Sequence, residues 1–166
     1  MDRTAEVLLE SWNRQADIVN RLAGIVDESV MDAKPSEDGW TIAFHLCHMH
    51  GVRKGWLSEI SADHAKDLGN LIEGGWQGTP SSDLSLIRAE LSKSGEAVGT
   101  AFRDLMSQGV ERVAPYDHPV HFLEHMVWHD GWHYGLIALA MRLAGRELDE
   151  EWEERNVWGI WRDPEI

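Results

Sequence analysis

The sequence has little cysteine, little positive charge and no long apolar run. Cys47 is the only cysteine among 166 residues, which excludes an internal disulfide and a cysteine-rich metal site. Fifteen basic residues face 29 acidic ones, and the net charge is −14 with histidines counted neutral. A surface of that sign repels phosphate backbones and anionic lipids, so we expect neither a nucleic-acid partner nor membrane binding.

No stretch approaches the roughly 20 consecutive apolar residues that a membrane-spanning helix needs. The opening residues, MDRTAEVLLESWNRQ, mix charge into a helical pattern and contain no apolar core of a signal peptide. We therefore expect a soluble protein and, by default, a cytoplasmic one. The length favours a single domain over residues 1–166, and a hydrophobic share of 43% is enough to form its core.

Four segments carry apolar residues at helical spacing, and they cover residues 4–26, 41–61, 83–108 and 119–144. Thr41 is a candidate N-cap for the second segment, Ser81 or Ser82 for the third, and Gly145 is a natural end for the fourth. Four long amphipathic helices in one domain predict an all-α fold, a four-helix bundle.

The connections between the helices are long, at roughly ten to twenty residues, and leave room for a crossover topology. No alternating strand pattern of useful length is present, although residues 63–82 could hold a short helical turn. The acidic tail, residues 146–166, is rich in tryptophan. We predict that it forms a short helix or an ordered C-terminal strap laid on the bundle.

The most informative stretch is HMVWHDGWHYGLI, in which His125, His129 and His133 are spaced four apart. Residues four apart on a helix lie about 40° apart on one face, so two imidazoles can bind one metal ion. On a helical wheel, His129 and His133 fall within an apolar stripe, while His125 falls on its flank. The stripe consists of Phe122, Met126, Leu136 and Ala140. His129 and His133 are therefore the pair predicted to face the bundle interior.

A second helix must complete such a site, and the second segment offers His45, His48 and His50. His50 lies about 200° from His48 on the wheel, so these two cannot share a face. His45 and His48 both border the apolar stripe, and spacing alone does not separate them. Buried imidazoles are costly without partners, and a divalent metal ion would satisfy them.

Two stretches, WTIAFHLCH at residues 40–48 and HDGWHYGLI at residues 129–137, resemble motifs of the DinB-like (DinB/YfiT) superfamily. Members of that superfamily are metal-binding four-helix bundles. The resemblance implies the metal ligands His48, His129 and His133, and so favours His48 over His45. Many relatives follow the last histidine with Arg-Gly-Gln, whereas this chain has Tyr134, Gly135 and Leu136, so no role of that arginine or glutamine carries over.

Three neutral histidines leave a fourth coordination position open, as in catalytic sites, and imidazole ligands suit zinc or nickel. Similar proteins transfer low-molecular-weight thiols such as bacillithiol or mycothiol, or isomerise maleylpyruvate with the help of a thiol. We therefore expect a metal-dependent transferase with a thiol and an electrophile as small-molecule partners. A metal-dependent hydrolase and a non-catalytic, metal-stabilised binding or sensor module are the alternatives. The resemblance also implies a homodimer.

No catalytic residue is identified by the sequence. Glu124 and Asp130 lie outside the sector of His129 and His133, so we interpret them as solvated groups or as neighbours of the ligands. An inward carboxylate of the kind a hydrolase needs is therefore missing from the pattern. A di-iron site is disfavoured because neither histidine-bearing helix contains Glu-x-x-His.

Several further residues are candidates for the surroundings of the metal or for a pocket wall. They are His45, His125, Tyr116, His118, Trp132 and Trp158. Cys47 is interpreted as a small core residue, and Trp128 and Trp132 are expected to pack in the core. The tail tryptophans Trp152, Trp158 and Trp161 could cover the open end of the bundle.

Overall fold

The computed structural model describes residues 1–162 and confirms the all-α fold. The four long helices begin and end within one or two residues of the predicted positions. They are α1 (Arg3–Ile25), α2 (Ile42–Ile60), α4 (Leu84–Ser107) and α5 (Pro119–Leu143). Two one-turn helices, α3 (Ala62–Ala65) and α6 (Glu150–Glu153), lie outside this set.

Side-chain caps determine where the long helices begin. The backbone N–H of Phe44 donates to the Thr41 hydroxyl at 3.1 Å, which confirms the predicted cap of α2. The cap of α4 is Asp83 rather than Ser81 or Ser82, because helical backbone starts only at Leu84. The Asp83 carboxylate accepts from two free N–H groups of the first turn. Gly145 follows α5 with a φ of 76°, as predicted for a helix end.

The helices are arranged up-down-down-up. α1 and α2 each pack against α4 and α5, so α1 and α2 lie diagonally opposite each other. One core cluster joins the end of α1 and α5 to the start of α2 and α4, through Leu22, Ile137, Leu46 and Ile87. The other cluster joins the opposite ends, through Leu9, Phe122, Leu57 and Phe102. α2 and α4 are therefore parallel neighbours, and the chain between them crosses over along the length of the bundle.

The crossover, residues 61–83, contains α3 and a small antiparallel hairpin. Its strands are β1 (Ile72–Glu73) and β2 (Thr79–Pro80), with Ile72 opposite Pro80. The hairpin was not predicted, because strands of two residues produce no alternating pattern. Gly74 and Gly75, both with positive φ, form the turn that precedes Trp76. This turn holds Trp76 against α2.

The C-terminal segment continues from α6 into a π-helical turn (Glu154–Trp158) and a 3-10 turn (Gly159–Trp161). It packs on α1, where Arg14 donates to the carbonyl of Ile160 at 2.7 Å and Arg21 donates to Asn156 at 3.0 Å. Residues 163–166 of the predicted strap lie outside the described residues. None of the described helices is both long and apolar enough to cross a membrane.

Candidate metal centre

Three histidines from two antiparallel helices converge between α2 and α5. His48, His129 and His133 each offer one nitrogen, and these atoms lie within 4.8 Å of one another. The ring centroids of His129 and His133 are 4.4 Å apart. The ring centroid of His48 lies 5.2 Å from that of His129 and 4.9 Å from that of His133. His48 and His133 are buried, whereas 15% of the His129 side chain is exposed. The fold thus brings together the three histidines that were predicted as metal ligands.

The charge state of the cluster suits a cation. Burial, with a smaller contribution from the neighbouring imidazoles, lowers the pKa of His133 to about 3 and that of His48 to about 4. Both rings are therefore neutral at pH 7, with lone pairs free. The Nδ1 atoms of His48 and His129 are buried without a hydrogen-bond partner. An all-imidazole set with unsatisfied nitrogens fits zinc or nickel.

His45 lies beside the cluster rather than in it. It is buried, and its Nδ1 lies 2.8 Å from the Nδ1 of His133, so the two rings share a hydrogen bond. Burial lowers the pKa of His45 to about 4. The two histidines of α2 that spacing could not separate thus differ in position. His48 faces the other two rings, and His45 supports one of them.

Asp130 is fully buried, which the helical wheel did not predict. Its carboxylate accepts from the guanidinium of Arg53 at 2.6 Å, and Arg53 is buried as well. The second carboxylate oxygen lies 3.8 Å from the Nδ1 of His129. Of the two interpretations of Asp130, the solvated group is therefore wrong, and the neighbour of a ligand agrees with its position beside His129. Glu124 is exposed, as expected.

Two tryptophans that were not among the predicted site residues flank the histidines. The indole of Trp40 stacks on the His133 ring at 6.2 Å and lies 4.8 Å from the His48 ring. Trp76, in the crossover, meets the His48 ring edge-on at 4.9 Å. Trp40 opens the motif WTIAFHLCH, so its position was the available signal. For Trp76 no sequence signal existed, because its place depends on the crossover.

Tyr116 and His125 form a pair one turn of α5 away from the cluster. The Tyr116 hydroxyl and the His125 Nδ1 are 2.7 Å apart, and the His125 ring lies 6.5 Å from that of His129. The predicted place of His125 on the flank agrees with this contact. His118 has a different role, since its Nδ1 accepts from the Val120 N–H and caps α5. It lies about 16 Å along the helix from His129.

The tryptophans predicted to pack in the core are at the surface. Trp128 is 70% exposed and Trp132 is 58% exposed, and their rings contact each other on the outer side of α5. Trp158 and Trp161 are also exposed, on the segment that packs on α1. Trp132 and Trp158 therefore do not line the three-histidine cluster. The predicted interpretation of Cys47 as a core residue fits its complete burial.

Two cavities of about 610 Å³ include in their walls the tryptophans that contact the His48 ring. The first includes Trp40 and Phe44 in its wall. The second lies between the C-terminal half of α2 and the segment that precedes α5. It is lined by Val52, Gly55, Trp56, Glu59, Trp76, Ala114 and Pro115. The wall of each cavity thus contains one of the two tryptophans that contact the His48 ring, Trp40 in the first and Trp76 in the second.

Comparison with known proteins identifies the family of the chain. No curated protein and no solved structure matches the chain. The model of the DinB family matches residues 1–153, which include all four long helices and the three histidines. The chain therefore belongs to the DinB family.

Proposed function

We propose that His48, His129 and His133 hold one zinc or nickel ion, and that the protein transfers a low-molecular-weight thiol to an electrophilic substrate. The observation that carries this proposal is the meeting of three imidazoles from α2 and α5, two of which, His48 and His133, are held neutral by burial. Three protein ligands leave a coordination position for a small molecule. The choice of a thiol for that position rests on the family resemblance.

In the reaction proposed, the sulfur of the thiol forms a bond to an electrophilic carbon. The bond from that carbon to its leaving group breaks, the leaving group keeps the electron pair, and the thiol proton passes to solvent. A bound divalent ion lowers the pKa of a thiol and so supplies thiolate at neutral pH. The chain itself contributes the imidazoles and the indoles of Trp40 and Trp76, which pack against the His48 ring.

We propose that the electrophile binds in the cavity beside Trp76. The cavity between Trp56, Trp76 and Pro115 is mainly apolar, and Val52 in its lining lies one helical turn from His48. A substrate with a planar or aliphatic apolar group would bury that group here while its reactive carbon faced the histidines. Glu59 is the one charged residue in the lining, and it disfavours an anionic group at that end.

Hydrolysis is the weaker proposal. A hydrolase needs a carboxylate or another base that can take a proton from water near the metal. Asp130 is the carboxylate beside the cluster, but its charge is paired with Arg53 at 2.6 Å. Its free oxygen points to His129 rather than to open space. These contacts favour a role of Asp130 in supporting the proposed metal ligand His129 over a role as a base.

Metal content tests the first half of the proposal. We expect about one equivalent of zinc or nickel per chain by elemental analysis of the purified protein, and much less in His129→Ala. His121→Ala is the matched control, because His121 is an exposed histidine of the same helix. Equal metal content in wild type and His129→Ala would refute the proposed ligand set.

A panel of thiols and electrophiles tests the second half. We expect the metal-loaded protein to accelerate thioether formation with at least one thiol such as bacillithiol or mycothiol, as measured by mass spectrometry. Chelation should abolish the acceleration, and restored metal should recover it. Activity that survives both chelation and His129→Ala would contradict a role of the metal site in the reaction.

A further inference from the structure

We infer that Asp130, held in place by Arg53, is a positioning residue that fixes the tautomer of His129 for metal binding. The inference rests on the proposed function, since it assigns the support of one proposed ligand. It also extends that proposal, because it connects the metal site to a buried ion pair that reaches into α2 and α4.

The ion pair is built with little freedom. Arg53 and Asp130 have side-chain exposures of 1% and 0%. Besides Asp130, the Arg53 guanidinium donates to the carbonyl of Leu91 at 2.9 Å and contacts the Ser94 hydroxyl at 3.4 Å. The same group lies over the Trp12 ring, 5.3 Å from its centroid. The guanidinium that binds the Asp130 carboxylate is thus itself held by residues of α1 and α4.

Three buried atoms of this group have no hydrogen-bond partner, namely the Nε of Arg53, the Oδ1 of Asp130 and the Nδ1 of His129. The last two face each other. They are 3.8 Å apart, so a shift of less than 1 Å brings them to hydrogen-bond distance. An unsatisfied buried polar atom is costly. One hydrogen bond from a protonated Nδ1 to the carboxylate would satisfy both atoms at once.

The direction of that hydrogen bond decides which nitrogen can bind metal. A carboxylate only accepts, so Asp130 selects the tautomer of His129 with its proton on Nδ1. The other nitrogen, Nε2, then carries a free lone pair. It already faces the cluster, 3.1 Å from the Nε2 of His133. Metal-binding histidines commonly have such a carboxylate behind them, which orients the ring and raises its basicity.

Asp130→Asn separates this role from a purely structural one. The Asn carbonyl must turn toward Arg53, which only donates, so its amide N–H₂ then faces the Nδ1 of His129. That nitrogen becomes an acceptor, and the proton moves to Nε2, where it blocks metal binding. A comparable carboxylate-to-amide change at a catalytic histidine is known to impose the wrong tautomer. The lost charge pairing with Arg53 would lower stability in addition.

The experiment combines zinc affinity with nitrogen NMR. Zinc dissociation constants are measured by competition with a chromophoric chelator for wild type, Asp130→Asn and Glu124→Gln. Glu124 is an exposed carboxylate of the same helix and serves as the control. We expect a loss of affinity of roughly 10- to 100-fold for Asp130→Asn and no change for Glu124→Gln. Side-chain ¹⁵N spectra of the metal-free proteins report which nitrogen of His129 carries the proton.

The outcomes are distinct. A proton on Nδ1 in wild type and on Nε2 in Asp130→Asn, with weaker zinc binding, supports the inference. Lower stability with unchanged zinc affinity would show that the ion pair is only structural and would overturn it. If Asp130→Asn does not fold, the wild-type spectrum decides, because a proton on Nε2 there overturns the inference. Absence of zinc binding by wild type would instead refute the proposed function, and the inference with it.

Discussion

The Nδ1 atoms of His45 and His133 lie 2.8 Å apart in the buried space between α2 and α5. One of the two nitrogens must therefore carry the proton of this hydrogen bond. The Nε2 of His133 faces His129 and is the atom placed to bind metal. A metal-binding His133 would then keep its proton on Nδ1 and donate it to His45. His45, as the acceptor, would then carry its single proton on Nε2.

Removing that acceptor should weaken metal binding without removing a ligand. We expect His45→Phe to keep the packing of an aromatic ring and to raise the zinc dissociation constant by roughly tenfold or more. Competition with a chromophoric chelator measures the effect, and His121→Phe on the exposed side of α5 is the control. A zinc affinity equal to wild type would show that His45 does not support His133.

The metal-free protein should lose stability as the pH falls. Burial lowers the folded-state pKa values of His45, His48 and His133 to between about 3 and about 4. The unfolded chain binds more protons below its own histidine pKa of about 6.5. The free energy of unfolding is therefore highest above about pH 6.5. It falls as the pH drops toward the pKa values that these histidines have in the folded protein. At pH 5 the expected loss is about 2 kcal/mol for each of these histidines.

Urea unfolding of the chelator-treated protein at pH 7 and at pH 5 measures this loss. His48→Gln removes one of the three titrating rings and should make the dependence on pH shallower. His121→Ala, which removes an exposed histidine, should leave it unchanged. Unfolding free energies that are equal at the two pH values would show that the buried rings titrate normally.

The sequence predicted the four long helices closely because each has a core-facing stripe and a definite end. Residues 119–144 were expected for α5, and it spans Pro119–Leu143. The wheel was less successful within that helix. The buried side of α5 is centred about 50° further round than the predicted stripe. This rotation explains why Asp130 is buried and why His129 is at the edge of the core.

Contacts made across long sequence distances could not be predicted. Arg53 and Asp130 are 77 residues apart in the sequence. The residues around each of them do not predict that a charged side chain is buried there. Trp76 depends on the path of the crossover over α2. Trp128 and Trp132 were expected in the core because aromatic residues usually pack there. Their own positions on the wheel, on the side of α5 away from its buried residues, would have placed them outside.

The difference between buried and exposed tryptophans should appear in the free energy of unfolding. Trp12 is completely buried, and its indole N–H donates to the carbonyl of Gly95 at 2.9 Å. We expect Trp12→Ala to cost about 3–5 kcal/mol, through the cavity and the lost hydrogen bond. Trp128→Ala should change the free energy by no more than about 0.5 kcal/mol, as is usual at the surface. Urea unfolding of both variants measures this difference, and a large cost for Trp128→Ala would mean that its face is covered in solution.

The tryptophans beside the histidines should report metal binding by fluorescence. Nickel quenches indole emission at short range, and the rings of Trp40 and Trp76 lie 4.8 and 4.9 Å from that of His48. We expect nickel to lower the emission of wild type, and the double variant Trp40→Phe with Trp76→Phe to lose most of that decrease. Trp161→Phe is the control, because Trp161 belongs to the segment on α1, diagonally opposite α2. If the double variant kept the full nickel-dependent decrease while Trp161→Phe lost it, the ion would bind away from the three histidines.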